Sequence, residues 1–251
     1  MIDKALYPVI FKRKSVRKFE KEPLDDSVLQ SIEEKLQDLE PLFPEIKTKL
    51  AVVGNNEIGG IFAIKAPHYI ALYSEEKDGY LLNAGYLLQQ MDLYLSSEEI
   101  GTLWLGLAKP EEKLKAKDGL PYVITLAFGK AKVPVHRNHR AEFKRKDLSE
   151  ITNLSGAKSL LEAVRLAPSS TNNQPWYLEG TEEELHVYCK KMTGMKSKFF
   201  PLAKKWLPVD VGIALCHLKI SALEQGKEVE FVKENREAIN EYQYMITVKL
   251  K

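Results

Sequence analysis

The stretch LLNAGYLLQQMDLYLSSEEIG, Leu81 to Gly101, decides the fold. It reads as one long helix, with Leu81, Leu88, Met91 and Leu95 on one side and Gly101 after its end. Few charges interrupt it, so it is expected to be largely buried. Strand-like runs lie on either side, HYIALY at 68–73 and PYVITLAFGK at 121–130. A second set follows in the same order: LHVYCK at 185–190, VDVGIALCHLKISALEQG at 209–226 and QYMITVKLK at 243–251. Gly85 falls over Gly212 and Tyr122 over Tyr244, at offsets of roughly 115 to 130 residues. Three matches in register predict a duplicated α+β unit, with halves at 1–135 and 136–251. Each half has too few strands to hide its own long helix, so halves packed helix to helix would bury both. The plainer account is that any α+β chain repeats strand–helix–strand.

The remaining elements fill in around this frame. LDDSVLQSIEEKL, 24–36, reads as a helix capped by Asp25 or Asp26, with Val28, Leu29, Ile32 and Leu36 as its apolar stripe. KLAVVG, 49–54, reads as a strand, and SLLEAVRLAP, 159–168, as a helix stopped by Pro168. Val209, Ile213, Cys216, Ile220 and Leu223 form the stripe of the second long helix, closed by Gly226. Lys130 to Lys146 is a polar, basic connector.

The chain has 251 residues, 44% hydrophobic and 29% charged, which is ordinary globular composition. A formal net charge of +2 gives no whole-protein field toward nucleic acid or membrane. The basic connector lacks an aromatic platform, so nucleic acid is not an expected partner. No run is expected to span a bilayer. The short apolar stretch Ala5 to Phe11 precedes its basic residues, the reverse of a secretory signal, so a cytoplasmic protein is expected. Cys189 and Cys216 read as small core residues in a reducing compartment. His68 and His186 fall on strands and His217 on an apolar helix stripe, each alone, so no metal site is expected. His136 to Arg140 reads as a solvated loop cluster.

Two segments carry chemistry. In Arg13-Lys14-Ser15-Val16-Arg17-Lys18-Phe19, an extended backbone would put Arg13, Ser15 and Arg17 on one face. Two guanidinium forks around a hydroxyl suit a phosphate and a neighbouring electron-rich ring. A solvated basic terminus is the alternative for this segment taken alone. The second segment is Ala167-Pro168-Ser169-Ser170-Thr171-Asn172-Asn173-Gln174-Pro175-Trp176. Short hydroxyl and amide side chains between two prolines make a stiff loop dense in donors and acceptors, suited to the edge of a flat heterocycle. A capping loop with Trp176 in the core is the alternative.

Together these segments resemble the nitroreductase family of FMN enzymes. The family's R-x-S-x-R-x-F pattern is matched by Arg13, Ser15, Arg17 and Phe19, and its P-S-[SA]-x-N-x-Q-P-W loop by Pro168 to Trp176. Its glycine turn with W-I-G is matched by Ile100 to Leu107, and its basic R-K-x-L-x-E stretch by Arg145 to Glu150. Members ordinarily carry the Arg/Ser segment and the Pro-Ser-Ser loop in one subunit and dimerise. Here each occurs once, in different halves. The chain therefore resembles the subgroup in which two family-like halves are fused into an intramolecular pseudo-dimer. The resemblance implies an α+β, nitroreductase-like fold.

The same resemblance implies one FMN, NADH or NADPH as electron donor, and a small organic acceptor such as a nitroaromatic or quinone, used by a ping-pong hydride mechanism. Arg13 and Ser15, with Lys14 beside them and Arg145 or Lys146 as further candidates, are implied for the phosphate. Arg17 is implied at the N1–O2 edge, where negative charge collects on reduction. Backbone near Leu105 and Gly106, next to Trp104, is implied at N5. Pro168, Ser169, Ser170 and Asn172 are implied at the opposite ring edge. No side-chain acid or base is evident. The expected state is a monomer with internal pseudo-symmetry. The alternative function is a flavin-binding scaffold without turnover.

Overall fold

The computed structural model describes residues 2–59, 64–192 and 201–251, the side chains of 201–203 excepted. It divides into two compact units. One comprises Ile2 and Lys12–Glu142, the other Asp3–Phe11 and Phe143–Lys251.

The first unit runs α1 (Asp26–Gln37), β1 (Thr48–Gly54), β2 (His68–Ser74), α2 (Tyr80–Ser97), β3 (Gly101–Leu105) and β4 (Leu120–Gly129). Its sheet is antiparallel in the order β1-β2-β4-β3. The central strand β2 is buried at every position, as its unbroken apolar and aromatic run requires. Helix α2 is buried without a break from Leu82 to Leu93. Within it, Asn83 Oδ1 accepts the Leu42 and Phe43 N–H groups at 2.8 and 3.2 Å.

The second unit runs α3 (Lys158–Arg165), β5 (Trp176–Gly180), β6 (Glu184–Lys190), α4 (Pro201–Glu224), β7 (Val229–Val232) and β8 (Tyr242–Leu250). Its sheet is antiparallel in the order β5-β6-β8-β7. Helix α4 is buried from Val209 to Ala222. The N-terminal helical turns Lys4–Leu6 and Tyr7–Ile10 pack on α4. The principal elements of the two units thus follow the same order and their sheets the same strand order, apart from a short strand, Ala116–Lys117, that adds to β4 in the first unit.

Three sequence expectations need correction. Helix α2 was expected to run up to Gly101, with the glycine just past its end, but it stops at Ser97. Glu99 takes the left-handed turn at φ 58°, and the Ile100 N–H returns to the Leu95 carbonyl at 2.9 Å. Gly101 instead opens β3, where a Cβ would lie 3.1 Å from Val16 and Ala131. Strands β3, β5 and β7 were not foreseen. They are short edge strands of four or five residues, and their alternation is too brief to read. Finally, Lys204–Glu224 is long and apolar enough to span a bilayer on length and composition, contrary to expectation, though 83% of that window is buried inside the protein.

Candidate functional site

In the first unit the Lys12–Glu20 segment lies as an added strand. The Lys14 N–H reaches the Val135 carbonyl at 3.3 Å, Lys132 N–H the Lys18 carbonyl at 2.9 Å and Arg137 N–H the Lys12 carbonyl at 2.7 Å. On its other side the Val16 N–H reaches the Thr102 carbonyl at 2.8 Å. Val16 and Phe19 anchor it, at 0% and 7% exposure. Burial therefore recurs at every third residue, 13, 16 and 19, not at alternate ones.

That spacing changes the expected face. Arg13 is 1% exposed and its Nε lies 3.1 Å from Oδ2 of Asp92, which is 0% exposed. The contact is an ion pair without the alignment of a hydrogen bond. Arg13 Nη2 donates to Ser15 Oγ at 3.2 Å. Asp92 Oδ1 accepts the Thr102 hydroxyl, and the Arg13 carbonyl accepts from Arg137. Arg13 so placed reaches a ligand only through Ser15, whereas Lys14 and Ser15 are half-buried and Arg17 is exposed. Ser15 Oγ already accepts from Arg13, so its own hydrogen is available to an acceptor.

Sequence reading passed over Arg137. The His136–Arg140 stretch, expected in solvent, is exposed at Asn138–Arg140 and half-buried at His136 and Arg137, and it is braced. His136 Nε2 is 2.9 Å from the Ser96 carbonyl, and Glu142 accepts the Asn138 and His139 N–H groups at 2.8 and 3.0 Å. The half-buried Arg137 guanidinium is pushed down to about 10 by burial and by the Arg13 charge, so a neighbouring anion would stabilise it.

Trp104 and Leu105 end β3 and Gly106 follows, all three half-buried. The Trp104 indole N–H is buried with no hydrogen-bond partner among the described residues. A cleft of about 410 Å³ opens beside Phe19, with Lys21, Lys65 and Lys132 in its lining.

In the second unit the structure brings Arg145 and Lys146 onto the Pro168–Trp176 loop. Arg145 donates to Asn172 Oδ1 at 2.6 Å and to the Leu166 carbonyl at 3.3 Å. The Lys146 N–H and Nζ reach Gln174 Oε1 and its carbonyl at 2.8 and 2.9 Å. Burial and the Lys190 charge hold the Lys146 amine below the usual lysine range. Thr171, Asn172 and Gln174 all have left-handed backbones, with φ of 50°, 58° and 46°. Such conformations cost energy in L-residues, and these braces offset it. Pro168 is buried, Ser169 and Ser170 are half-buried, and Asn172 is exposed. Ser169 Oγ accepts the Gln174 N–H at 2.9 Å, which leaves its hydrogen available.

Beneath the loop, Asp210 of α4 accepts the Ser170 N–H at 2.8 Å. Its second oxygen is buried without a hydrogen-bond partner among the described residues, and burial pushes the carboxyl up to about 8. The sequence pattern placed Asp210 on the helix but gave no reason to single it out.

His186, expected alone, lies with Glu184 and Glu234, their ligand atoms within 4.8 Å of one another. Arg236 pairs with those carboxylates at 3.5 and 2.8 Å and Lys249 at 3.8 and 3.7 Å, so the cluster's charge is already compensated.

A family model described as "Putative TM nitroreductase" matches residues 5–222. The fold is shared with the crystal structure of a putative nitroreductase from Thermotoga maritima, at 22% identity and a TM-score of 0.66, over 98% of this chain and 92% of that one. Shorter matches include an FMN-dependent nitroreductase from Clostridium difficile, at 15% identity and a TM-score of 0.46, over 59% of this chain and 98% of that one. A nitroreductase with bound FMN from Desulfitobacterium hafniense matches at 20% identity and a TM-score of 0.43, over 59% of this chain and 100% of that one. No curated protein matches.

Proposed function

Because this chain belongs to the family described as "Putative TM nitroreductase", we propose that it is an FMN-dependent oxidoreductase, taking electrons from NADH or NADPH and passing them to a small organic acceptor such as a nitroaromatic or quinone. FMN, when bound, supplies the two-electron redox chemistry. The chain's part is to hold it and to set the charge around it. The single observation that carries this reading is the Pro168–Trp176 loop, kept in left-handed backbone by Arg145, Lys146 and Asp210 while Ser169, Ser170 and Asn172 keep surface for a ligand. A loop built only to connect α3 to β5 would not need three strained residues.

The residues fit the group. Lys14, Ser15 and Arg137 offer charge and a hydroxyl donor to the phosphate, and Arg17 offers an exposed cation to the N1–O2 edge. The Trp104 N–H, unpartnered among the described residues, lies beside the Leu105 and Gly106 backbone as a donor for a ligand acceptor. Ser169, Ser170 and Asn172 are short-reach partners for the ring's carbonyls and nitrogens. We further propose that the two like-ordered units are a tandem duplication. One FMN binds per chain, and the chain works as a monomer within the cytoplasm. Donor and acceptor would use the same flavin face in turn, giving ping-pong kinetics.

The test is cofactor identity and turnover. Protein purified or reconstituted with FMN should carry it by absorbance and mass, be bleached anaerobically by NADH or NADPH, and regain colour with a quinone. Double-reciprocal plots should be parallel. Failure to take up FMN overturns the reading, and uptake without bleaching leaves a flavin scaffold.

A further inference from the structure

We propose that Asp92 is a positioning residue for a phosphate monoester, acting through Arg13 on the Ser15 hydroxyl. The inference rests on the flavin reading above and names the group that selects FMN over its unphosphorylated form.

Asp92 lies within α2 at 0% exposure. A carboxylate there persists only if its charge and lone pairs are met. Its two oxygens face different elements. Oδ1 takes the Thr102 hydroxyl of β3, and Oδ2 lies 3.1 Å from Arg13 Nε. Thr102 in turn gives its carbonyl to the Val16 N–H at 2.8 Å. Asp92 therefore grips the Lys12–Glu20 segment twice, through Arg13 directly and through Thr102 next to Val16.

The consequence appears one residue short of the surface. Arg13 spends Nη2 on Ser15 Oγ at 3.2 Å. A serine oxygen that accepts from a guanidinium directs its own hydrogen elsewhere, and the cation makes that hydrogen a stronger donor. Ser15 is half-buried while Arg13 is 1% exposed, so the hydroxyl and not the guanidinium meets the ligand.

The pair's geometry argues against a purely stabilising role. A buried Arg–carboxylate pair built for strength is usually bidentate. Here the Nε contact lacks hydrogen-bond alignment, and Nη2 is given to a serine. Arg137, whose guanidinium donates to the Arg13 carbonyl, adds a further cation beside the segment.

The experiment compares FMN with riboflavin, which differ only in the phosphate. Both are titrated into the flavin-free full chain of the wild type, Asp92→Asn and Ser15→Ala. Asp92→Asn should lose about ten- to a hundredfold in FMN affinity, the scale of one charge-assisted hydrogen bond. Riboflavin affinity should stay within about twofold, since the neutral ring contacts are untouched. The double variant Arg13→Met/Asp92→Leu removes both buried charges together and keeps the fold accessible if Asp92→Asn is unstable. Its FMN-to-riboflavin preference should fall to that of Ser15→Ala. Equal loss of both flavins, or an unchanged preference in the double variant, overturns the positioning role. A wild type that binds FMN no better than riboflavin overturns it as well, and one that binds neither overturns the flavin reading itself.

Discussion

Arg13 and Arg17 are four residues apart and have opposite surroundings. Arg13 is 1% exposed and faces Asp92, whereas Arg17 is exposed. Alternation along an extended segment would treat them alike. Docking of Val16 and Phe19 sets the spacing to three, and a three-residue step turns Arg13 inward while leaving Arg17 out. Arg17 is thus left exposed, as the place proposed for it at the flavin N1–O2 edge requires. Arg17→Ala should slow flavin reduction by NADH or NADPH by about tenfold or more while FMN affinity changes by less than about threefold. Stopped-flow reduction and flavin titration measure the two separately. Normal reduction in the variant would remove the role from Arg17.

At the scale of elements, the two long helices end differently. Gly226 closes α4 at φ 74°, with the Lys227 N–H returning to Ala222 at 3.0 Å. The equivalent left-handed place after α2 is Glu99 at φ 58°. Glu99→Gly should therefore raise stability by about 0.5–1 kcal/mol in urea unfolding, less whatever the exposed contact to His136 contributes. A loss of stability would mean that His136 contact matters more than the backbone. Helix α4 also pins the Pro168–Trp176 loop through Asp210. The carboxyl is raised from 3.8 to about 8 by burial. Its contribution to stability is complete below about pH 4 and lost as pH rises to about 8, because the folded state there holds the proton the unfolded chain releases. Asp210→Asn keeps an acceptor for the Ser170 N–H and removes the titration. Its stability relative to the wild type should rise by roughly a few kcal/mol between those pH values and then stay level. Parallel curves for the two proteins would show that Asp210 does not titrate there.

For the whole molecule, the shared order of helix, strand, strand, long helix, strand, strand is repeated in both sheets, β1-β2-β4-β3 and β5-β6-β8-β7. The chemistry is not repeated: the Arg/Ser segment lies in the first unit and the Pro-Ser-Ser loop in the second. Titration of the flavin-free chain with FMN should saturate at one per chain, and sedimentation at dilution to monomer should leave the flavin bound. A stoichiometry near two would reveal a second site without the recognisable residues. Release on dilution would mean that a second copy completes the site.

The two buried helices, their flanking central strands and the two segments rich in polar chemistry are legible in the chain alone, because long apolar runs and proline-bounded polar loops are local properties. Even the close of α4 at Gly226 was legible, since glycine marks a left-handed turn cheaply. The close of α2 was not, because Glu99 adopts the same turn without a local mark. Nor were the edge strands β3, β5 and β7, which are too short to carry a period. Folding alone turns Arg13 to Asp92, 79 positions along the chain, brings Arg137 to its segment, and sets Asp210 on Ser170. Those are partnerships between residues distant in sequence. A charge's role depends on the partner and the burial that folding assigns it, and neither is written in its neighbours.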